Sequence, residues 1–273
     1  MKEKRTGPVA TLPGFFFVRC LMVFFLTTGC VFASAAIANS NGRPQPTLLF
    51  SADWAKGISK AFGVQANAGD LEVIPDPTGK FERVLRVTLN RSEDFAHVEN
   101  GVPRGELLFP APVRFEQGKE YIVKWSTLLP SDFEFDAKQL VIITQINQGH
   151  WLGGPTVALA LEGAKYAISQ HGGVHHEQVS AGEWLCCADK DKGRWVNWKL
   201  DYVSDETGNV ASTRLFKDDL LVFDSEGHPN AYPGVEDSYF KIGLYKPDWN
   251  KKPTDINRIS IFYGPVSIYV VAR

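Results

Sequence analysis

Short segments rich in β-branched and aromatic residues recur along this chain and constrain its fold more than any other feature. Gly, Pro, Asn and Asp separate them, and a sustained helical period is missing from the sequence. The segments predicted as strands are 84–89, 104–109, 120–128, 139–147, 156–161, 165–170, 195–203, 210–216, 220–223, 239–245 and 258–262. This pattern predicts an all-β fold, an antiparallel β-jelly roll (a concanavalin-like sandwich) in a single domain. The one helix predicted is a short one over 51–62.

The N-terminal segment differs in character from the rest. Basic residues precede an apolar run over 20–32, and small residues follow it up to Ala38. This order predicts a secretory signal over 1–38, a flexible lead-in over 39–49 and the main domain over 50–273. The run is too short for a stable membrane span, so we expect a secreted or periplasmic protein. The sequence before Cys30 faintly resembles a lipoprotein signal, which makes lipid anchoring the less favoured alternative.

The charge balance and the cysteines limit the classes of protein to consider. Removing residues 1–38, with four basic residues and one acidic residue, changes the formal charge from -2 to -5. This mildly acidic chain is not expected to bind nucleic acid, and it could bind an acidic polymer only through a local basic patch. Cys186 and Cys187 are the cysteines left, and we expect reduced thiols because a disulfide between neighbours is strained.

Segment 239–245 has two faces of different chemistry. Side chains alternate across a strand, so its even positions, which are apolar, are predicted to face the core. The odd positions are Tyr239, Lys241, Gly243 and Tyr245. A cation and a phenol on one face suit an extended anionic ligand, and Gly243 leaves room for a close approach to the backbone. The alternative is an amphipathic strand with one solvated face.

Two other predicted strands carry polar side chains suited to carbohydrate binding. Arg104 and Glu106 share one face, and an arginine held by a carboxylate can bind a second carboxylate or hydroxyls. Gln145 and Asn147 end a face that begins with Val141 and Ile143, and their amides could bind sugar hydroxyls or a carboxylate. The alternatives are a structural ion pair for the first strand and backbone hydrogen bonding for the second.

Histidines form a further set of candidates. His150 lies beside Trp151 in a glycine-containing loop and is a catalytic or sugar-contact candidate, with a merely exposed histidine as the alternative. His171, His175 and His176 are close in sequence, but their spacing matches none of the usual helical zinc signatures. We therefore predict an exposed polar hairpin there and no metal site.

Alternating carboxylates in segment 132–136 raise a different chemistry. Two acids on one strand face can serve a glycoside hydrolase, and the segment resembles the laminarinase-type motif with the acid types reversed. The reversal removes the outer glutamates of that motif, and Pro130 precedes the segment. A solvated loop is the preferred interpretation, with a hydrolase acting through Glu134 as an alternative.

Taken together and in order, segments 104–107, 145–147 and 239–245 resemble the jelly-roll polysaccharide lyases. The resemblance is closest to the heparin lyase and glucuronan lyase group and more distant to alginate lyases, and it extends from about residue 50 to the end of the chain. It implies a lyase that cleaves an acidic, uronate-containing polysaccharide by β-elimination. Glucuronan is the first expectation, with alginate or a glycosaminoglycan as alternatives.

The resemblance also implies roles for individual residues. Tyr245 matches the family's catalytic tyrosine, and Arg104 and Gln145 would neutralise the substrate carboxylate. Asn147 stands where the family pattern has histidine, and an amide cannot act as a base near neutral pH. The preferred route makes Tyr245 both base and acid, with a pKa lowered by Arg104. The alternatives are His150 as the base and a loss of activity.

The remaining expectations concern binding. The residues predicted to bind substrate are Asn147, Lys241, Glu106, Trp151 and Trp249. We expect that the reaction requires no cofactor, and the sequence leaves open whether a structural calcium ion is bound. The expected partner is an anionic polysaccharide, and the expected oligomeric state is a monomer. A non-catalytic carbohydrate-binding jelly roll is the main alternative function. The sequence leaves open which polymer is cut and whether cleavage is internal or terminal.

Overall fold

The computed structural model describes residues 45–149, 153–174, 179–234 and 238–272, which form sixteen β-strands. The strands are β1 Pro46–Ala52, β2 Gly63–Gln65, β3 Leu71–Pro75, β4 Arg83–Asn90, β5 Arg104–Leu108, β6 Glu120–Leu128, β7 Val141–Gln148, β8 Val157–Glu162, β9 Lys165–His171, β10 Val179–Leu185, β11 Trp195–Val203, β12 Ser212–Lys217, β13 Leu220–Glu226, β14 Ser238–Tyr245, β15 Arg258–Tyr263 and β16 Val266–Val271. Within these ranges the only helix is the single turn Ala188–Asp191, so no described helix could cross a bilayer. The predicted signal segment lies outside the described residues.

The strands form two antiparallel sheets. The larger sheet has nine strands in the order β13-β12-β11-β6-β15-β4-β3, with β16 pairing with both β6 and β1. The smaller sheet has seven strands in the order β10-β9-β8-β7-β14-β5-β2. Consecutive strands such as β7 to β10 lie side by side, whereas other neighbours, such as β5 and β14, are distant in sequence. The predicted all-β jelly roll is confirmed.

Strand β14 shows how the core is built. Its alternate residues Phe240, Ile242 and Leu244 are buried in the main apolar cluster, as the pattern predicts. The Phe240 ring lies 5.9 Å from the ring of Trp125, a residue of β6 in the other sheet. This packing turns the other face of β14, with Tyr239, Lys241 and Tyr245, away from the core.

Gly243 has a different role from the predicted one. Its φ of 134° lies in a region that favours glycine, and a Cβ atom there would overlap the carbonyl oxygen of Gly105 in β5. Pairing with β7 also shifts register between Ile242 and Tyr245. The room at Gly243 therefore admits the neighbouring backbone, and the expected space for a ligand is not there.

The prediction that Ile143 shares a face with Gln145 in β7 is wrong, because the strand contains a bulge. The register with β8 shifts between Ile142 and Thr144, so the alternation of side chains changes phase at this point. Ile143 is buried in the main core, whereas Ile142 packs with Tyr245 on the opposite face. Ile143 therefore does not share a face with Gln145, because the bulge rotates it inward.

The N-terminal expectations are partly wrong. Residues 51–62 complete β1 and then form turns, because Trp54 and Gly57 have positive φ values of 64° and 79° that break a helix. The lead-in ends earlier than predicted, since Pro46 already pairs with Val271 in the nine-stranded sheet. The first part of the lead-in, before residue 45, lies outside the described residues.

The two remaining cysteines also differ from expectation. Cys186 and Cys187 are joined by a disulfide bond, whereas the sequence favours reduced thiols. They lie between the end of β10 and the helical turn Ala188–Asp191. Neither contributes to the cleft described below.

Asp136, predicted in a solvated loop, is a buried structural residue. Its carboxylate accepts a hydrogen bond of 2.7 Å from Lys246 and another from the hydroxyl of Thr254. Lys246 is fully buried. Burial raises the pKa of Asp136, but the hydrogen bonds from Lys246, Thr254 and the backbone outweigh it and lower the pKa to about 2. The pair anchors the segment that follows β14.

Acid should remove the contribution of this pair. Because the folded pKa of Asp136 is depressed, its stabilisation is complete above the unfolded pKa and is lost as pH falls toward about 2. We expect the protein to lose about 2 kcal/mol of unfolding free energy between pH 5 and pH 2 from this group. Urea unfolding at several pH values should show a flatter pH dependence for Asp136→Asn, which lacks this carboxylate. Equal slopes for the two proteins would contradict the assignment.

Candidate active site

A cleft of about 800 Å³ lies over the face of the seven-stranded sheet that points away from the core. Five of the predicted site residues line it, namely Arg104, Gln145, Asn147, Lys241 and Tyr245. Strands β5, β14 and β7 lie side by side and supply all five. The sequence predicts the shared face, and the sheet order places these strands in contact.

Strand register arranges these side chains in rows across the sheet. Tyr245 is opposite Arg104 on one side and Ile142 on the other. Lys241 is opposite Gln145. The two rows are four residues apart along β14, or about 13 Å at 3.3 Å per residue. Side chains from both rows converge on one buried carboxylate that lies between them.

Glu106 is that carboxylate. It is 1 % exposed and is opposite Gly243 in the register of β5 and β14. Its oxygens accept a hydrogen bond of 2.5 Å from Gln145 Nε2 and one of 3.5 Å from Lys241 Nζ, and Arg104 Nη1 lies 3.6 Å away. Sequence analysis predicts Glu106 as a substrate contact, whereas its burial and partners make it a positioning residue.

The partners of Glu106 orient two amide side chains. Since a carboxylate only accepts hydrogen bonds, Gln145 must direct its NH₂ group at Glu106. Its Oε1 then accepts a bond of 3.4 Å from Asn147 Nδ2, and Asn147 Oδ1 accepts one of 3.1 Å from the backbone N–H of Gln148. Glu106 therefore fixes the orientation of both amide groups, through Gln145 and then Asn147.

Two residues of this network are not found by sequence analysis. Gln65 Oε1 accepts bonds from Lys241 Nζ at 2.9 Å and from Arg104 Nη1 at 3.4 Å, and Asn100 Oδ1 accepts one from Arg104 Nη2 at 2.7 Å. Gln65 belongs to the three-residue strand β2, and Asn100 precedes β5 in a turn. Such short segments carry no periodic signal, so only the structure places these residues at the site.

Arg104 and Tyr245 are in direct contact. The guanidinium carbon of Arg104 lies 4.4 Å from the centre of the Tyr245 ring. Burial raises the pKa of Tyr245 above its ordinary value, and the charge and hydrogen bond of Arg104 offset this only in part. The predicted lowering of the pKa is therefore wrong in direction, since burial outweighs the cation. Tyr245 is a neutral phenol at neutral pH, suited to donating a proton.

Lys241 is also more enclosed than predicted. It is buried, and its ammonium group bonds to Gln65 and Glu106. Burial lowers the pKa of Lys241 despite the opposing charge of Glu106. The ammonium lies 5.5 Å from the centre of the Tyr239 ring. Lys241 therefore contributes mainly its charge to the cleft and offers little exposed surface for a direct contact.

The predictions for His150, Trp151 and Trp249 compare differently with the structure. His150 and Trp151 lie outside the described residues, so their roles stay predictions. Trp249 is wrong as a sugar-stacking surface, because it is fully buried in the core. Its indole N–H donates to the carbonyl of Ile256 at 3.1 Å, and Lys246 Nζ lies 5.8 Å from its ring.

His171 lies in the cleft, whereas sequence analysis considers it only for zinc. Its Nδ1 is 3.1 Å from the carbonyl oxygen of Pro155, which requires the proton on Nδ1 and leaves Nε2 as an acceptor. Burial lowers the pKa of His171, so the ring is neutral at pH 7. His175 and His176 lie outside the described residues. In the described part of the chain, no group of three or more His, Cys, Asp or Glu residues is placed to hold a metal ion.

Solved structures of lyases share this fold. The chain resembles an endo-β-1,4-glucuronan lyase from the fungus Trichoderma reesei, with a TM-score of 0.65 and 16% identity over 82% of this chain and 95% of that one. It also resembles alginate lyase A1-II', a member of polysaccharide lyase family 7, with a TM-score of 0.54 and 12% identity over 76% and 86% of the two chains. At these identities the similarity establishes the fold, that of the jelly-roll lyases.

The sequence itself establishes the family. Residues 51–266 match the family described as polysaccharide lyase, which covers most of the chain. The chain belongs to this family, and the protein is a polysaccharide lyase. No curated protein sequence gives a significant match. The alternative of a glycoside hydrolase gains no support, since Glu134 is exposed and is not among the residues lining the cleft.

Proposed function

We propose that the protein is a secreted lyase that cleaves a uronate-containing polysaccharide by β-elimination, with glucuronan as the first candidate substrate. The observation that carries the proposal is the contact between Tyr245 and Arg104, which joins a proton donor to the buried cluster around Glu106. The fold shared with a glucuronan lyase supports the choice of the first substrate.

The reaction explains why these residue types lie together. Elimination removes the proton at C5 of a uronate, and that proton becomes acidic only when the adjacent carboxylate is neutralised. Amide N–H groups held in fixed directions stabilise the charge that develops there. Asn147 and Gln145 offer such groups at the cleft floor, with Lys241 and Arg104 on β14 and β5 of the same sheet. The substrate carboxylate would bind above this pair of amides.

The proton transfers are then assigned by pKa and position. Tyr245 is neutral at neutral pH and protonates the departing glycosidic oxygen. The same raised pKa counts against Tyr245 as the base, which shifts that role to His150, three residues after Asn147. Electrons from the C5–H bond form the C4–C5 double bond as the C4–O bond breaks. The product carries an unsaturated uronate at its new non-reducing end.

Product analysis on a panel of polymers tests the proposed substrate class. Purified protein is incubated with glucuronan, alginate and heparin, and with a neutral glucan as a control. We expect ultraviolet absorbance from unsaturated uronate to rise fastest with glucuronan and to stay flat with the neutral glucan, which has no carboxylate to activate C5. Absence of the signal with every anionic polymer would refute the proposal.

The assignment of the base has its own test. We expect His150→Ala to lower kcat on the best polymer by about 100-fold or more, the usual contribution of a general base. His97→Ala is the matched control, since His97 is exposed and does not line the cleft. A His150→Ala enzyme with nearly full activity would contradict this assignment.

A further inference from the structure

We propose that Trp184 forms a distal sugar-binding subsite, in which its indole stacks on a ring of the bound polymer far from Tyr245. This inference rests on the proposed function and extends it by naming a residue that determines how long a chain the cleft holds. Sequence analysis does not single out Trp184, because β10 is not among the predicted strands.

Trp184 is an exposed aromatic side chain held in a defined orientation. It is 65 % exposed, on the edge strand β10, and it lines the same cleft as Tyr245. Its indole N–H donates a hydrogen bond of 2.7 Å to Glu162 Oε2. An exposed indole with one fixed edge presents a flat apolar face to the solvent, which is the surface that the C–H face of a sugar ring covers.

The floor between Trp184 and Tyr245 is flat. In the register of the sheet, Trp184 is opposite Ala167, which is opposite Ala160, then Ile142, then Tyr245. The row crosses four strand intervals, or about 19 Å at about 4.8 Å each. Small alanine side chains in the middle leave this path open, so an extended polymer can cover the floor from Tyr245 to the indole.

The distal end recognises a ring rather than a carboxylate. The described cleft-lining residues of β8, β9 and β10 include Glu162 and Glu183 but no lysine or arginine. Lys165 is paired opposite Glu162 at the rim, outside the cleft lining. The cations that line the cleft, Arg104 and Lys241, lie at the other end, on β5 and β14. Binding at Trp184 should therefore depend on stacking and on hydroxyl contacts to Glu162, with little contribution from ion pairing.

Kinetics on long and short substrates test the subsite. We expect Trp184→Ala to raise KM for the polymer about 3- to 10-fold with kcat unchanged, as the loss of one stacking contact would. Trp184→Phe should keep most of the affinity, and oligosaccharides too short to reach from Tyr245 to β10 should show no change. Leu220→Ala, which removes a 69 % exposed apolar side chain from the other sheet, is the control.

Binding without turnover gives a second readout. In a Tyr245→Phe background, polymer should quench tryptophan fluorescence, and Trp184→Ala should lower both the quenching and the affinity while leaving the salt dependence of the affinity unchanged. An unchanged KM on long polymer, or an equal loss on short and long substrates, would overturn the subsite. Dissociation of a dimer by Trp184→Ala in size-exclusion chromatography would instead make the indole a contact between copies of the chain. If the unaltered protein yields no unsaturated product from any polymer, the proposed function fails, which is a separate result.

Discussion

Replacing Tyr245 with phenylalanine is expected to lower kcat by at least about 100-fold, the usual contribution of a general acid. The phenol is the neutral proton donor of the cleft, and its hydroxyl is the single group that the substitution removes. The contact of the ring with Arg104 is retained, so stability and polymer affinity should change little. Initial rates by ultraviolet absorbance and polymer affinity by fluorescence titration measure the two effects separately.

Tyr269→Phe is the matched control for this experiment. Tyr269 belongs to β16 in the other sheet, and its ring faces Lys124 rather than the cleft. It should retain full activity. A Tyr245→Phe enzyme with comparable activity to the control would remove Tyr245 from the mechanism, whatever the substrate.

Replacing Glu106 with glutamine is expected to destabilise the protein by about 3 kcal/mol, since breaking a buried ion pair leaves an unpaired buried charge. Glutamine keeps the shape of the side chain but removes the charge that faces Lys241 and Arg104. The substitution also places an amide against the NH₂ group of Gln145. The Gln145 NH₂ group then loses the carboxylate that accepts its hydrogen bond. The midpoint of urea unfolding should fall, and kcat should fall with it.

A double variant measures how strongly the charges of Glu106 and Lys241 stabilise each other. Lys241→Met removes the cation that Glu106→Gln leaves unpaired, so the double variant should be more stable than the sum of the two single effects predicts. Unfolding of the single and double variants gives this coupling energy. Additive effects would mean that Glu106 and Lys241 do not stabilise each other. Leu221→Met, at an exposed position of the other sheet, controls for the introduction of a methionine.

Sequence predicts the parts of this site that depend on local alternation. Segment 239–245 places Lys241 and Tyr245 on one face because a strand has a period of two, and Phe240 marks the other face as core. Arg104 and Glu106 share a face for the same reason. The resemblance to polysaccharide lyases rests on the order of the segments, and the family match confirms the family.

Other features depend on contacts between distant segments and could not be predicted locally. The bulge beside Ile142 changes which residues of β7 face the cleft, and no local pattern marks it. Gln65 reaches Lys241 only because β2 pairs with β5, and β5 with β14. The direction of the pKa shift of Tyr245 depends on how deeply the ring is enclosed, which the sequence does not encode locally.

If Tyr245 drives an elimination on a uronate polymer, its hydroxyl is needed both for chain cleavage and for the unsaturated product. Glucuronan is incubated with the unaltered protein and with folded Tyr245→Phe, and ultraviolet absorbance of unsaturated uronate is recorded while chain length is followed by size-exclusion chromatography. We expect the absorbance to rise as the chains shorten with the unaltered protein, and we expect neither change with Tyr245→Phe. Chains that shorten without the absorbance would show that the reaction is not an elimination, and a Tyr245→Phe enzyme that produces the absorbance at the same rate would show that Tyr245 does not drive it.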